Sequence, residues 1–143
     1  SSNNSRKLSL IEKVKLILNN KLTNKKITFL GVTFKPNTDD MREATSIPMI
    51  NYFNKKNCKI TYYDPSGEKN EFKHLKNVKY SNSSSTACLN ADLIILHTEW
   101  NEFKLLNFKK LVKKNNFKVF DMRNLYSPSK MRKLNIKYFG IGR

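Results

Sequence analysis

At 143 residues the chain has the length for one covered sheet and not for a second core. Its 28 Lys and Arg against 11 Asp and Glu leave a net charge of +17, the balance of many nucleic-acid-binding proteins. The excess, however, is lysine scattered through helix-like and loop segments without interleaved aromatics, so it reads as a solvated surface, and a basic module for nucleotides or nucleic acid is only the second hypothesis.

Residues 1–6 are polar and are expected to fray. From residue 8 to residue 22, Leu8, Ile11, Val14, Leu18 and Leu22 recur at three- and four-residue steps, the stripe of a helix facing a core, with Ser9 and Glu12 as a capping pair. The run Ile27, Phe29, Leu30, Val32 and Phe34 predicts a strand covered on both faces and ended by Pro36. A helix opening at Ser46 and Pro48 follows, buried through Ile47, Ile50 and Phe53 with Met49 at its margin. A strand over 59–63 stops at the turn Asp64-Pro65-Ser66-Gly67. Beyond an irregular stretch with a short edge strand at 78–80, the pattern predicts a helix over 83–90, a strand over 92–97, a helix over 107–114, a strand over 117–120, a helix from Ser127-Pro128 to Leu134 and a last strand over 136–139. Strands alternating with helices imply an α/β, Rossmann-like, doubly wound and mainly parallel sheet in three layers.

Cys58 and Cys88 both fall in core-like segments and read as buried free thiols of a reducing compartment. No apolar stretch approaches the roughly 20 residues of a membrane helix and no signal-peptide core is visible, so a cytoplasmic protein without a membrane partner is expected. His74 and His97 lack metal-ligand spacing, and no Ser-His-Asp pattern argues for hydrolysis. The four glycines do not assemble a Gly-x-Gly-x-x-Gly loop. Neither a metal site nor a catalytic residue is therefore assigned.

The densest chemistry lies in Gly31-Val32-Thr33-Phe34-Lys35-Pro36-Asn37-Thr38-Asp39-Asp40-Met41-Arg42-Glu43, a charged loop after a buried strand, at the edge where open α/β sheets bind ligands. This segment resembles the signature of the nucleotide-sugar dehydrogenases, the UDP-glucose/GDP-mannose dehydrogenase family. Tyr63-Asp64-Pro65, Ala91-Asp92-Leu93-Ile94-Ile95-Leu96-His97-Thr98-Glu99-Trp100, Phe120-Asp121-Met122-Arg123-Asn124-Leu125-Tyr126 and Tyr138-Phe139-Gly140-Ile141-Gly142-Arg143 look like segments that recur in the same order there. The wording at 37–41 and 98–100 is most like the UDP-glucose 6-dehydrogenase branch; the GDP-mannose and UDP-N-acetylmannosamine branches stay open.

The resemblance implies a UDP-sugar-binding C-terminal domain over 25–143, with 1–24 as a tail and helix continuing from a central helix. Phe34, Lys35 and Arg123 become the candidate substrate-binding residues, and Arg42 the candidate contact to NAD held mainly by another domain. The alternative for Arg123 is a salt bridge to Asp121; Asp39, Asp40 and Glu43 are expected to cap the next helix and pair with Arg42. Glu99 and Trp100 read as loop anchors, and His97 as the end of a strand. A family member would also need a dinucleotide-binding domain and a middle region carrying a nucleophilic cysteine, which are not in this sequence; the first residue, Ser1, suits a piece of a longer protein. On this reading the complete enzyme is a homo-oligomer that oxidises UDP-glucose, while this piece alone is inactive.

Overall fold

The computed structural model describes residues 2–142, with no account of the Ser2 and Asn3 side chains; Ser1 and Arg143 lie outside it. Six strands among the described residues, Lys26–Leu30 (β1), Lys59–Tyr63 (β2), Val78–Tyr80 (β3), Leu93–Leu96 (β4), Lys118–Asp121 (β5) and Lys137–Gly140 (β6), form one parallel sheet in the order β3-β2-β1-β4-β5-β6. Register places Phe29 between Tyr62 and Ile95, so successive residues of the central strands serve opposite faces. One face gathers Ile27, Phe29, Ile60, Tyr62, Leu93 and Ile95 under the helices Ser2–Ile17 (α1) and Ser46–Lys55 (α2). The other gathers Leu30, Ile94, Leu96 and Val119 under Ser84–Cys88 (α3), Phe108–Val112 (α4) and Pro128–Lys133 (α5). The doubly wound, three-layer Rossmann-like fold expected from the sequence is thus the one observed.

Several boundaries move. Helix α1 begins at Ser2 instead of fraying through residue 6, which leaves Ser9 in mid-helix with no end to cap. It stops at Ile17 because Asn19 and Asn20 turn left-handed, at φ 55° and 57°. Its buried stripe is Leu10, Ile11, Val14 and Ile17, with Leu18 just past its end, while Leu8 is exposed. Strand β1 ends at Leu30, short of Pro36, because Gly31 takes a positive φ of 79° and packs against Thr98. In α2, Met49 is fully buried and Ile47 sits at the margin, the reverse of the expected order. Cys58 and Cys88 are buried free thiols as expected, and burial raises them to about 11 and about 12, so both stay protonated. No helix among the described residues is long and apolar enough to cross a membrane.

Candidate functional site

The winding sense reverses between β1 and β4, and in such sheets the loops leaving the two strands diverge and open a crevice at the carboxyl edge. A cleft of about 560 Å³ lies here. Phe34, Lys35 and Pro36 line it from the loop after β1, Glu43 and Thr45 from the approach to α2, His97 and Glu99 from the end of β4, Arg123 from beyond β5, and Arg6 from α1. Three of the four candidates, Phe34, Lys35 and Arg123, therefore share one cleft.

Buried backbone must find partners, and the loop bearing Lys35 finds them in a carboxylate at the end of β2. Asp64, wholly buried, accepts from the amides of Val32 (2.8 Å) and Thr33 (3.3 Å) with one oxygen and from Ser66 with the other. The Thr33 hydroxyl donates to the Lys35 carbonyl (3.0 Å), the Ser46 hydroxyl to the Val32 carbonyl (2.5 Å), and the Phe34 amide to the Asp40 carbonyl (3.0 Å). A tight backbone thereby presents exposed Phe34 and Lys35 side chains.

A second buried carboxylate, Asp121 at the end of β5, does the same for Arg123. It accepts from the amides of Arg123 (3.1 Å) and Tyr126 (2.9 Å) and from the Tyr138 hydroxyl (2.6 Å). The salt bridge to Asp121 that stood as the alternative for Arg123 does not form, because two amides and the Tyr138 hydroxyl occupy the carboxylate. The guanidinium turns instead to the His97 carbonyl, donating through Nε at 2.8 Å, with the Glu99 carboxylate 3.8 Å away.

His97 does more than end a strand. Thr98 donates its one hydroxyl proton to the Thr33 carbonyl (2.8 Å), so toward His97 Nδ1 (2.9 Å) it accepts; Nε2 then accepts from Thr45 (3.0 Å). This is the neutral imidazole protonated at Nδ1. Burial, with Arg123 and Arg6 nearby, pushes its pKa down to about 3. The Thr45 hydroxyl, thus engaged, does not cap α2, although Thr45 stands at that helix's N-cap position.

Arg42 lies outside the cleft, in a separate shallow depression with Asp40, Glu68 and Lys69. Its Nε and Nη2 each donate to a different Asp40 oxygen at 3.0 Å, and its amide donates to the same carboxylate at 2.9 Å. The arginine in turn holds the Asp40 carboxyl down at about 2. The predicted pairing with Arg42 is present for Asp40; the N-cap position of α2 is held by Thr45, whose side chain makes no capping bond, and not by Asp39, Asp40 or Glu43. Sequence reasoning missed Arg6, Glu43, Thr45, His97 and Glu99 as lining residues. Arg6 was legible as the position one helical turn before Leu10, had the helix been started earlier.

Residues 28–128 match the family described as the UDP-glucose/GDP-mannose dehydrogenase family, UDP binding domain. The chain belongs to that family. It is 34% identical over 144 residues to the UDP-glucose 6-dehydrogenase of Rickettsia felis, covering 99% of this chain and 32% of that protein, and 35% identical over 144 residues to that of Rhizobium meliloti, with the same coverage. The chain therefore spans about a third of the length of these family members. Among solved structures it resembles the UDP-N-acetyl-mannosamine dehydrogenase of Staphylococcus aureus at a TM-score of 0.73 and 25% identity, over 98% of this chain and 31% of that one. It shares its fold with an NDP-N-acetyl-D-galactosaminuronic acid dehydrogenase from Methanosarcina mazei at a TM-score of 0.78 and 24% identity, over 97% and 29%.

Members of this family use NAD, but the first strand-to-helix turn here offers no dinucleotide cradle. A Cβ on Gly31 would stand 2.6 Å from the Thr98 Cβ, so the space a pyrophosphate needs against the backbone is filled by protein. The residues of this chain do not fit NAD as the primary binding domain.

Proposed function

We propose that the cleft at the switch point binds the uridine diphosphate portion of a nucleotide sugar, and that the chain is the C-terminal substrate-binding domain of a UDP-glucose 6-dehydrogenase. The convergence of Phe34, Lys35 and Arg123 on one cleft at the carboxyl edge carries the proposal. The Lys35 ammonium and the Arg123 guanidinium neutralise phosphate, the latter through donors left over after Nε is committed to the His97 carbonyl. Phe34, exposed beside them, offers an apolar surface to the base or sugar.

On this proposal the complete enzyme oxidises the sugar C6 alcohol to a carboxylate with two NAD, as a homo-oligomer, with the nucleophilic cysteine and the dinucleotide loop supplied by segments preceding this one. Arg42 faces the cofactor side, and residues 1–24 continue a helix that joins the domains. Buried free thiols suit a reducing compartment, and we place the protein in the cytoplasm.

Calorimetric titration of UDP into the chain tests the binding proposal. Binding is expected, and Lys35→Ala or Arg123→Ala should weaken it roughly tenfold or more, the scale of a charge-assisted hydrogen bond. Absence of UDP binding, or equal affinity in wild type and both variants, would remove the cleft as the site. Cofactor-dependent oxidation of a nucleotide sugar by the chain alone would overturn its assignment as a substrate domain.

A further inference from the structure

We propose that Arg6 is a phosphate ligand of the same cleft, a third cation presented to the diphosphate by a helix that precedes the matched residues 28–128. The inference rests on the uridine diphosphate reading and adds to it a residue from outside the matched segment.

The direction of α1 brings Arg6 there. The Lys118 ammonium, at the start of β5, donates to the Ile17 carbonyl at 2.5 Å, so the last turn of α1 lies at the amino edge of the sheet and its first turns point to the carboxyl edge. Sixteen helical residues extend about 24 Å at about 1.5 Å each, whereas a five-residue strand covers only about 17 Å, so the helix overhangs the strands. Arg6 stands one turn before Leu10 and two before Val14, both buried, and so continues the buried stripe just where the stripe passes the sheet edge. Its side chain meets the cleft in place of the core.

The other cleft and loop arginines are already committed. Arg123 gives Nε to the His97 carbonyl, and Arg42 gives two nitrogens to Asp40. Arg6 has no acceptor among the described residues, which leaves its planar fork of donors for a ligand. Three cations, Arg6, Lys35 and Arg123, face two carboxylates, Glu43 and Glu99, around the cleft, an excess of positive charge that a diphosphate would neutralise. Both Arg6 and Arg123 oppose protonation of His97, which is consistent with their charges standing on the cleft side of the imidazole.

The test is an NMR titration of the 143-residue chain, and of Arg6→Ala and Arg6→Lys, with uridine and with UDP, a method that reads millimolar binding. Arg6→Ala should weaken UDP about tenfold and leave uridine unchanged, while Arg6→Lys, which keeps the charge without the planar fork, should recover only part of the loss. Unchanged UDP affinity in Arg6→Ala, or uridine weakened by the same factor as UDP, would overturn the assignment. Loss of UDP binding in Lys35→Ala but not in Arg6→Ala would sink Arg6 alone, whereas a wild-type chain that binds no UDP would sink the cleft reading and Arg6 with it. The position is exposed, so equal melting of wild type and variant should confirm that the fold is unaltered.

Discussion

Lys35 and Arg42 ride on the same loop and meet opposite environments. The backbone around Lys35 is tied down by Asp64, Ser46 and Thr33, and its side chain opens into a cleft shared with Arg123 and Arg6. Arg42 is 88% exposed, satisfied by Asp40 next door, and turned toward a different depression. Neighbours in sequence thus belong to different surfaces, because a rigid loop distributes its side chains by backbone direction. Only the Lys35 end of the loop sends a cation into the cleft, whereas Arg42 rests on Asp40 on another surface.

The largest test of this contrast strikes the anchors. Asp121→Ala removes a buried acceptor from the part-buried amides of Arg123 and Tyr126 and from the Tyr138 hydroxyl, and should lower the unfolding free energy by about 2–4 kcal/mol in urea denaturation. A loss no greater than that of an exposed substitution would show that the carboxylate does not hold this edge of the cleft.

The buried His97 gives a pH signature of comparable size. Its folded pKa of about 3 lies below the ordinary value of 6.5, so the unfolded state binds the proton more readily between those values. Stability is therefore full above about 6.5 and should fall as pH drops toward 3, by at most about 1.4 kcal/mol per unit. Asp40, held at about 2, loses its contribution only as pH falls from the ordinary 3.8 through that value, so the window from about 6.5 to 4.5 isolates the histidine. His97→Gln should flatten the urea midpoint across that window; an unchanged slope would put the effect elsewhere.

Binding separates the two ends of the loop more finely. Lys35→Ala should weaken UDP roughly tenfold, whereas Arg42→Ala should leave both UDP affinity and melting temperature nearly unchanged, because an exposed ion pair contributes little. In a complete enzyme Arg42→Ala should raise the Michaelis constant for NAD more than that for UDP-glucose, and Lys35→Ala the reverse. Kinetics in which Arg42→Ala mainly harms UDP-glucose would erase the distinction.

Much of this architecture was legible, because fully buried strands such as Leu93–Leu96 and turns such as Asp64 to Gly67 leave strong local marks. What escaped depends on long-range contact. The end of β1 is set by Thr98 packing on Gly31, and the start of α1 by a polar first turn that reads as tail until its stripe is aligned with Leu10. At the site, Phe34, Lys35 and Arg123 converge because the strand order does, which the alternation of elements foretold. The partners of Arg123 and His97 could not be read in advance, since they follow from which donors reach Asp121 and which hydroxyl meets each ring nitrogen.

Amide chemical-shift mapping with UDP tests the division of the loop most directly. Saturable shifts should appear at residues 33–36, 97–99 and 123–124, around the cleft, and be absent at 40–42 and 68–71 around Arg42. Shifts confined to the Arg42 depression, or spread over the lysine surface without saturation, would contradict a uridine diphosphate site at the switch point.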